Sequence, residues 1–280
     1  MTSCITGNKG FIGANLLRAH EIDTVGWDIE GCEIEQVFSS KSRPSVVFHM
    51  GAISSTTENK INRLAKFNIE SSCTLLELCI ENKIPFIYAS SASVYGLGEN
   101  GFKEDAVLSP INYYAISKAS FDMFAQQKIK DNPRAKIVGL RFFNVYGKGE
   151  DNKGNMASPI YKFYDQAIKT GTINIFKGSE YYKRDFISIE DVVKLAIKSK
   201  NFKSGIYNIG TGRCRSFYEV AKIISKHTSA KIEEIPFPEH LVRKYQKYTK
   251  ADTDKLLRQC KHNFLSLEEG IECFIRAQKQ

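Results

Sequence analysis

The chain runs to 280 residues, 42% hydrophobic and 25% charged, the balance of a water-soluble protein with one large domain or a domain and a smaller lobe. No apolar run approaches bilayer-spanning length, and the first predicted strand starts almost at Met1, so neither a membrane partner nor a signal peptide is expected. The net charge of +9 comes from lysines and arginines spread along the chain, which argues against nucleic acid and leaves a solvated surface or a pocket for a small anion.

In chain order, a short strand over Ser3 to Thr6 precedes G-N-K-G-F-I-G (Gly7 to Gly13) and a helix to about His20. Strand, glycine turn and helix are the setting of a dinucleotide-binding fingerprint. Gly7 permits the tight turn, Gly10 lets backbone N–H groups approach a pyrophosphate, and Gly13 allows the helix close to the sheet. The spacing is G-x-x-G-x-x-G. A strand over Thr24 to Trp27 then delivers Asp28, where a carboxylate would read the adenosine ribose and favour NAD, while Arg18, Lys41 or Arg43 could meet the extra phosphate of NADP.

Val46 to His49 is a buried strand followed by small residues, M-G-A-I-S-S-T-T, so that Met50, Gly51, Ala52, Ile53 and Ser54 lie where a cofactor crosses the sheet edge. Asn59 to Asn82 reads as one helix with an apolar stripe, and Asn68 is its polar exception, facing either cofactor or solvent. Ile84 to Ala89 is the strand that leads into A-S-S-A-S-V-Y-G and presents Ser91. Tyr114 and Lys118 follow at the start of a long helix, one turn apart on one face. A lysine ammonium there would favour the phenolate of Tyr114, whose ordinary pKa of about 10 is too high for a base at neutral pH. Ser91 could hold a substrate hydroxyl beside it, completing a proton-transfer device for interconverting an alcohol and a ketone. The spacing alone is weak, since Tyr218 and Lys222 repeat it in a helix that looks structural. Setting distinguishes Tyr114. Apolar strands alternating with helices predict a doubly wound parallel sheet of Rossmann type, with these residues along its ligand-binding edge.

After Phe143 the pattern changes to a polar, glycine-rich loop through Ser158, of the kind that is usually functional or mobile. Beyond it, Lys177, Lys183, Arg184, Arg213, Arg243 and Lys244 fall in one half with Tyr181, Tyr182 and Tyr245, side chains suited to phosphate oxygens and to a base or sugar face. Gly205 to Ile209 is expected to return to the main sheet, and Ser216 with Glu219 and Ser266 with Glu269 have capping-box spacing. No repeat or linker interrupts the chain. The expected division is therefore residues 1–145 plus about 185–212 for the dinucleotide, with 146–184 plus about 213–280 as a smaller α/β substrate-binding lobe woven into it. The seven cysteines contain no C-x-x-C pair and suit reduced thiols in the cytoplasm; no metal site is expected.

Together these residues resemble the extended short-chain dehydrogenase/reductase family of nucleotide-sugar enzymes, and within it the ADP-glyceromanno-heptose 6-epimerases. The likeness is carried by G-A-I-S-S-T-T-E (Gly51 to Glu58), F-N-V-Y-G followed by N-K-G-N-M-A-S, K-R-D-F (Lys183 to Phe186) and I-P-F-P-E-H-L-V-R-K-Y-Q (Ile235 to Gln246). It implies an isomerase that oxidises C6 of a nucleotide-linked heptose to a ketone with NAD(P) and reduces it again from the other face, supplying lipopolysaccharide sugars. Tyr114 matches the first acid/base, with Lys118 lowering its pKa and holding the nicotinamide ribose. Lys153 matches the second, although its pattern alone reads as a loop lysine. The resemblance also brings Phe11, Ile12, Asn68, Lys118 and Lys153 to the cofactor, with Val145 beside it. It brings Asn144, Phe176, Gly178, Ser179, Arg184 and Tyr245 to the substrate, and implies a homo-oligomer.

The chain departs from the family pattern at Asn155, Lys162 and Met50, which stand for serine, histidine and an acidic residue. The first two touch the sugar pocket and leave room for another nucleotide-linked heptose. The span from Asp28 to Met50 is short by roughly a helix and a strand. Two other readings of the residues are a nucleotide-hexose 4-epimerase or reductase that uses Tyr114 without Lys153, and a non-catalytic NAD(P)-binding module.

Overall fold

A computed structural model describes residues 3–19, 24–27, 38, 43–239 and 246–279. Six parallel strands form its main sheet, in the order β2-β1-β3-β4-β5-β9. The strands are β1 (Ser3–Thr6), β2 (Thr24–Trp27), β3 (Val46–His49), β4 (Phe86–Ser91), β5 (Ile137–Phe142) and β9 (Gly205–Ile209). Continuous apolar strands are explained by cover on both faces. Along β3 and β4, Phe48 and Ile87 face one layer with α1 (Phe11–Ala19) and α5 (Ile189–Lys198). Val47, Phe86 and Tyr88 face the other, among Leu75 and Leu76 of α2 (residues 61–81) and Phe121 of α3 (Tyr113–Asp131).

The connection from β1 runs to β2 on one side, and the chain then returns to place β3 on the other. The helix that follows β1 and the helix that follows β3 cover opposite faces of the sheet, the switch in direction that places a ligand crevice at the carboxyl ends of the strands. Helix α2 spans Ile61–Leu64, a π-helical stretch Ala65–Glu70, and Ser71–Glu81. The expected uninterrupted helix is thus widened at its middle. The extra residue of a π-bulge turns a polar side chain inward, and Asn68 is buried there.

The remaining elements lie beyond β5. They are β6 (Asn144–Tyr146), α4 (Pro159–Thr170), β7 (Thr172–Phe176), β8 (Lys183–Ser188), β10 (Cys214–Ser216), α6 (Phe217–Thr228), β11 (Lys231–Ile235), α7 (Asp254–Leu257) and α8 (Leu267–Gln278). A three-stranded sheet has the order β10-β8-β6, and β11 pairs with β7. Ile160, Ile173, Val220, Ile224, Ile271 and Phe274 form a separate apolar cluster between these small sheets and α4, α6 and α8. Both expected capping boxes are present, Ser216 with Glu219 and Ser266 with Glu269. The return of Gly205–Ile209 to the main sheet also holds, beside β5. No helix among the described residues is long and apolar enough to cross a membrane.

Candidate active site

The glycine turn after β1 is built by contact. Gly7 has φ +67°, and a β-carbon on it would stand 2.5 Å from Gly51 Cα. A β-carbon on Gly13 would stand 2.2 Å from the Gly7 carbonyl oxygen. The Gly10 N–H donates to that same carbonyl at 2.9 Å. The β1 and β3 loops are laced together at this point: the Gly51 N–H donates to Thr6 Oγ1 at 3.2 Å, and Thr6 Oγ1 and Ser72 Oγ flank the two ring nitrogens of His49 at 2.7 and 2.8 Å. Asn68 clamps the outer loop, accepting from the Ile53 N–H at 2.8 Å and donating to the Ile53 carbonyl and Ser117 Oγ at 3.0 Å each. Its amide is therefore spent on holding the loop and α3 rather than presented to the cavity.

A cavity of about 450 Å³ lies over this cradle. Its walls include Gly10, Phe11, Ile12 and Gly13 of the first turn, Met50, Ala52 and Ser54 of the second, and Val145. Gly7, Gly51 and Ile53 are not among the residues that line it. Among the described residues two buried side-chain oxygens lack a partner, Asn8 Oδ1 in the glycine turn and Ser90 Oγ on the cavity wall. Buried polar atoms without partners are uncommon in folded proteins. A cradle closed to β-carbons at a helix start, with free polar atoms beside it, fits the pyrophosphate and ribose of a dinucleotide. Asp28, the expected ribose reader, lies outside the described residues, as does Lys41.

Two caps place the reacting groups. Asn112 Oδ1 accepts from the Ala115 N–H at 2.8 Å and starts α3 so that Tyr114 falls in its first turn. Ser91 ends β4 and caps the turn over Ala92–Tyr95, accepting from the Ser93 N–H at 3.2 Å and the Ser93 hydroxyl at 2.9 Å. With its lone pairs so engaged, Ser91 has its own proton free to turn toward Tyr114, where it favours the ionised phenol. Tyr114 is nevertheless pushed above the ordinary phenol value, because burial outweighs the influence of Ser91. The lowering expected from Lys118 does not appear: its ammonium donates to the Ala89 carbonyl at 2.9 Å, toward the strand. Burial brings Lys118 down to about 8, opposed by Asp122 one turn further along α3. Asp122 is itself fixed by Arg141 Nε at 2.8 Å and the Tyr88 hydroxyl at 3.0 Å.

Lys153 reaches the same cavity from the far side of the sequence. The polar loop after β6 closes into a 3-10 turn over Asp151–Met156, with Gly154 at φ +49°. Lys153 Nζ lies 4.7 Å from the centre of the Phe11 ring and 3.9 Å from Glu150 Oε2. Burial lowers its pKa, with Glu150 acting against that shift and Lys162 adding to it. Thr56 of the β3 loop meets Met156 Sδ at 3.9 Å, so the two loops touch at the mouth. Asn155 also lines the cavity, and Lys162 Nζ donates to the Asn155 carbonyl at 2.8 Å.

The residues expected at the substrate's distal end form a second group outside the cavity wall. Asn144 donates to the Asp185 carbonyl and Thr249 Oγ1, both at 3.2 Å. The Phe176 ring packs on Phe237 at 5.3 Å, the Lys177 N–H donates to the Ile235 carbonyl at 2.9 Å, and the Ser179 hydroxyl bonds the Phe176 carbonyl across a turn with Gly178 at φ +84°. Arg184 lies 5.3 Å from the Phe217 ring centre. Tyr245 lies outside the described residues, with Arg243 and Lys244. The sequence reading missed Phe143 and Met156 of the wall and the buried Glu150 behind Lys153. For Glu150 the one available signal was a carboxylate three residues before a lysine.

A parallel sheet with a glycine cradle at its switch point, and a Ser–Tyr–Lys set where β4 ends and α3 begins, defines a dinucleotide-dependent enzyme of carbonyl–alcohol chemistry. Residues 3–210 match the NAD dependent epimerase/dehydratase family, and the chain belongs to it. It is 46% identical over 229 residues to the ADP-L-glycero-D-manno-heptose-6-epimerase of Brachyspira hyodysenteriae, covering 78% of this chain and 70% of that protein. It is 36% identical over 311 aligned positions to the protein of the same name from Alkalilimnicola ehrlichii, covering 98% and 96%. The crystal structure of Helicobacter pylori ADP-L-glycero-D-manno-heptose-6-epimerase superposes with a TM-score of 0.82 at 28% identity, covering 98% of this chain and 95% of that one.

Proposed function

We propose that this protein inverts C6 of an ADP-activated glycero-manno-heptose. The substrate alcohol is oxidised to a ketone, the ketone turns over in the pocket, and reduction from the opposite face gives the epimer. The bound NAD or NADP supplies reversible hydride acceptance. Every proton is the protein's task. One acid/base cannot sit correctly for both alcohol configurations, so two groups are needed. The observation that carries the reading is that Tyr114 of α3 and Lys153 of the loop after β6 line one cavity from different elements. Tyr114, aided by the Ser91 hydroxyl, exchanges a proton with the C6 oxygen in one configuration, and Lys153 does so in the other. Lys118 holds the ribose end of the dinucleotide and keeps a positive charge near the phenol.

The Phe176–Arg184 turn and Asn144, with Asn155 and Lys162 nearer the sugar, bind the nucleotide-sugar substrate in this reading. The smaller lobe is the substrate-binding unit. A homo-oligomer and a cytoplasmic setting complete the proposal, the first from the family resemblance and the second consistent with six described cysteines that are all free thiols.

Incubation of the purified protein with ADP-D-glycero-D-manno-heptose, followed by NMR of C6, tests the reaction. Inversion is expected, and retained configuration with cofactor bound rejects it. Tyr114→Phe and Lys153→Ala should each stop epimerisation while NAD still binds. Full activity in Lys153→Ala would transfer the case to a 4-epimerase or reductase using Tyr114 alone. Light scattering after gel filtration reads the oligomer.

A further inference from the structure

Glu150 is the buried carboxylate nearest the site with no role yet assigned. It has no exposed surface. Oε1 accepts from the Gly147 N–H at 3.0 Å and the Ser158 hydroxyl at 2.9 Å, and Oε2 accepts from the Ser158 N–H at 2.6 Å. These donors fix it at the base of the turn that carries Lys153, whose N–H bonds the Glu150 carbonyl at 2.9 Å. Anchoring a loop needs only a neutral acceptor. Burying a full carboxylate adds a desolvation cost that an adjacent cation offsets. The cation within reach is Lys153, 3.9 Å from Oε2, with the Phe11 ring on another side of its ammonium.

We propose that Glu150 is a positioning residue that holds the Lys153 ammonium against Phe11 and sets the pH at which Lys153 exchanges its proton. The inference rests on the reading of Lys153 as the second acid/base. That role requires both charge states near neutral pH: the amine to take a proton and the ammonium to give one. The charged groups that act on Lys153 are Glu150 from its own turn and Lys162 from α4, while Tyr114 and Lys118 line the same cavity from α3. Burial and Lys162 both drive Lys153 toward the neutral amine. Glu150 is the opposing influence, and without it the balance moves further toward the amine.

Amine-reactive labelling of the full chain across a pH series, read by mass spectrometry at Lys153, measures its ionisation independently of turnover. In Glu150→Gln the Lys153 midpoint should fall by ~1 pH unit, as expected for losing an opposite charge at this range. The alkaline limb of the epimerisation profile should move with it, and NAD affinity should not. Glu150→Asp, which keeps the charge but withdraws it, should give an intermediate midpoint. An unmoved Lys153 midpoint in Glu150→Gln overturns the proposal. If that variant does not fold, Glu150→Asp decides alone, and a midpoint equal to wild type overturns it. A shifted midpoint with an unshifted activity profile upholds the hold of Glu150 on Lys153, and removes Lys153 from the chemistry instead.

Discussion

Replacing Gly13 with alanine tests the cofactor cradle without touching a reacting group. The new β-carbon would stand 2.2 Å from the Gly7 carbonyl oxygen, 2.8 Å from its carbon and 3.2 Å from Asn8 Cα. All three are backbone atoms, so relief requires the turn itself to move. The turn has little room, because Gly7 already abuts Gly51 so closely that even a β-carbon would not fit between them. Overpacking of this kind costs about 1–3 kcal/mol. If all of it is felt in the cofactor-bound state, NAD affinity falls about 5- to 150-fold, at ~1.4 kcal/mol per decade. Isothermal titration with NAD measures this, with thermal unfolding run alongside. Gly101→Ala is the control. Gly101 has φ +80°, but a β-carbon on it would meet no atom within 4 Å, so it should lose about 1–2 kcal/mol of stability and no cofactor affinity. NAD affinity within twofold of wild type in Gly13→Ala would refute the close-approach reasoning.

Tyr114→Phe removes the hydroxyl proposed to transfer the proton and keeps the ring, so the epimerisation rate should drop by about 10²–10⁴-fold while Ser91 and Lys118 stay in place; a loss below tenfold in single-turnover assays speaks against Tyr114. Asn68→Ala leaves the Ile53 N–H and carbonyl and Ser117 Oγ without their buried partner, at a cost of ~2–3 kcal/mol in urea unfolding. An unchanged midpoint would mean that the clamp is idle. His49 is buried and held as the neutral ring, its pKa brought down to about 3 by burial and then by Lys118. The unfolded chain takes up that proton first, so the stabilisation is complete above about pH 6.5 and is lost as pH falls toward 3. Between pH 6.5 and 5 this one group should remove about 2 kcal/mol. The pH slope of unfolding in His49→Gln should be flatter by that amount, and equal slopes would contradict it.

The sheet was legible because its strands are apolar on both faces, so each appears as a short continuous run, and because turns and caps mark the helix starts. Gly7, Gly13, Ser91 and Tyr114 could be placed for the same reason: they sit at strand ends and helix starts, positions that local pattern determines. Three features were not readable in that way. The π-helical stretch of α2 has no compositional mark, so Asn68 kept two equally good readings until its bonds to Ile53 and Ser117 were seen. The direction of the Lys118 ammonium depends on where β4 lies, since one-turn spacing brings it near Tyr114 but not onto its oxygen. Lys153 and Glu150 belong to a loop whose shape comes from long-range closure against Phe11 and α4, and such contacts leave no periodicity in the chain.

That difference has a consequence for how this enzyme controls its outcome. The sheet edge supplies the cradle, Ser91, Tyr114 and Lys118, the groups proposed to move a proton at one face of a sugar carbon. Inversion demands a second proton path, and the group offered for it sits on a turn fixed by Glu150, Ser158 and the start of α4. Changes confined to residues 147–158 can therefore alter the stereochemical result while the fold and the first half-reaction persist. A Lys153→Met variant in deuterated buffer separates these. It should still oxidise one of the two C6 epimers, seen as reduced-cofactor absorbance in a single turnover, yet release no C6-inverted product. Absence of both signals with each C6 epimer in turn would instead place Lys153 in binding, because a lysine that acts only as one of the two bases leaves the oxidation of one epimer to Tyr114.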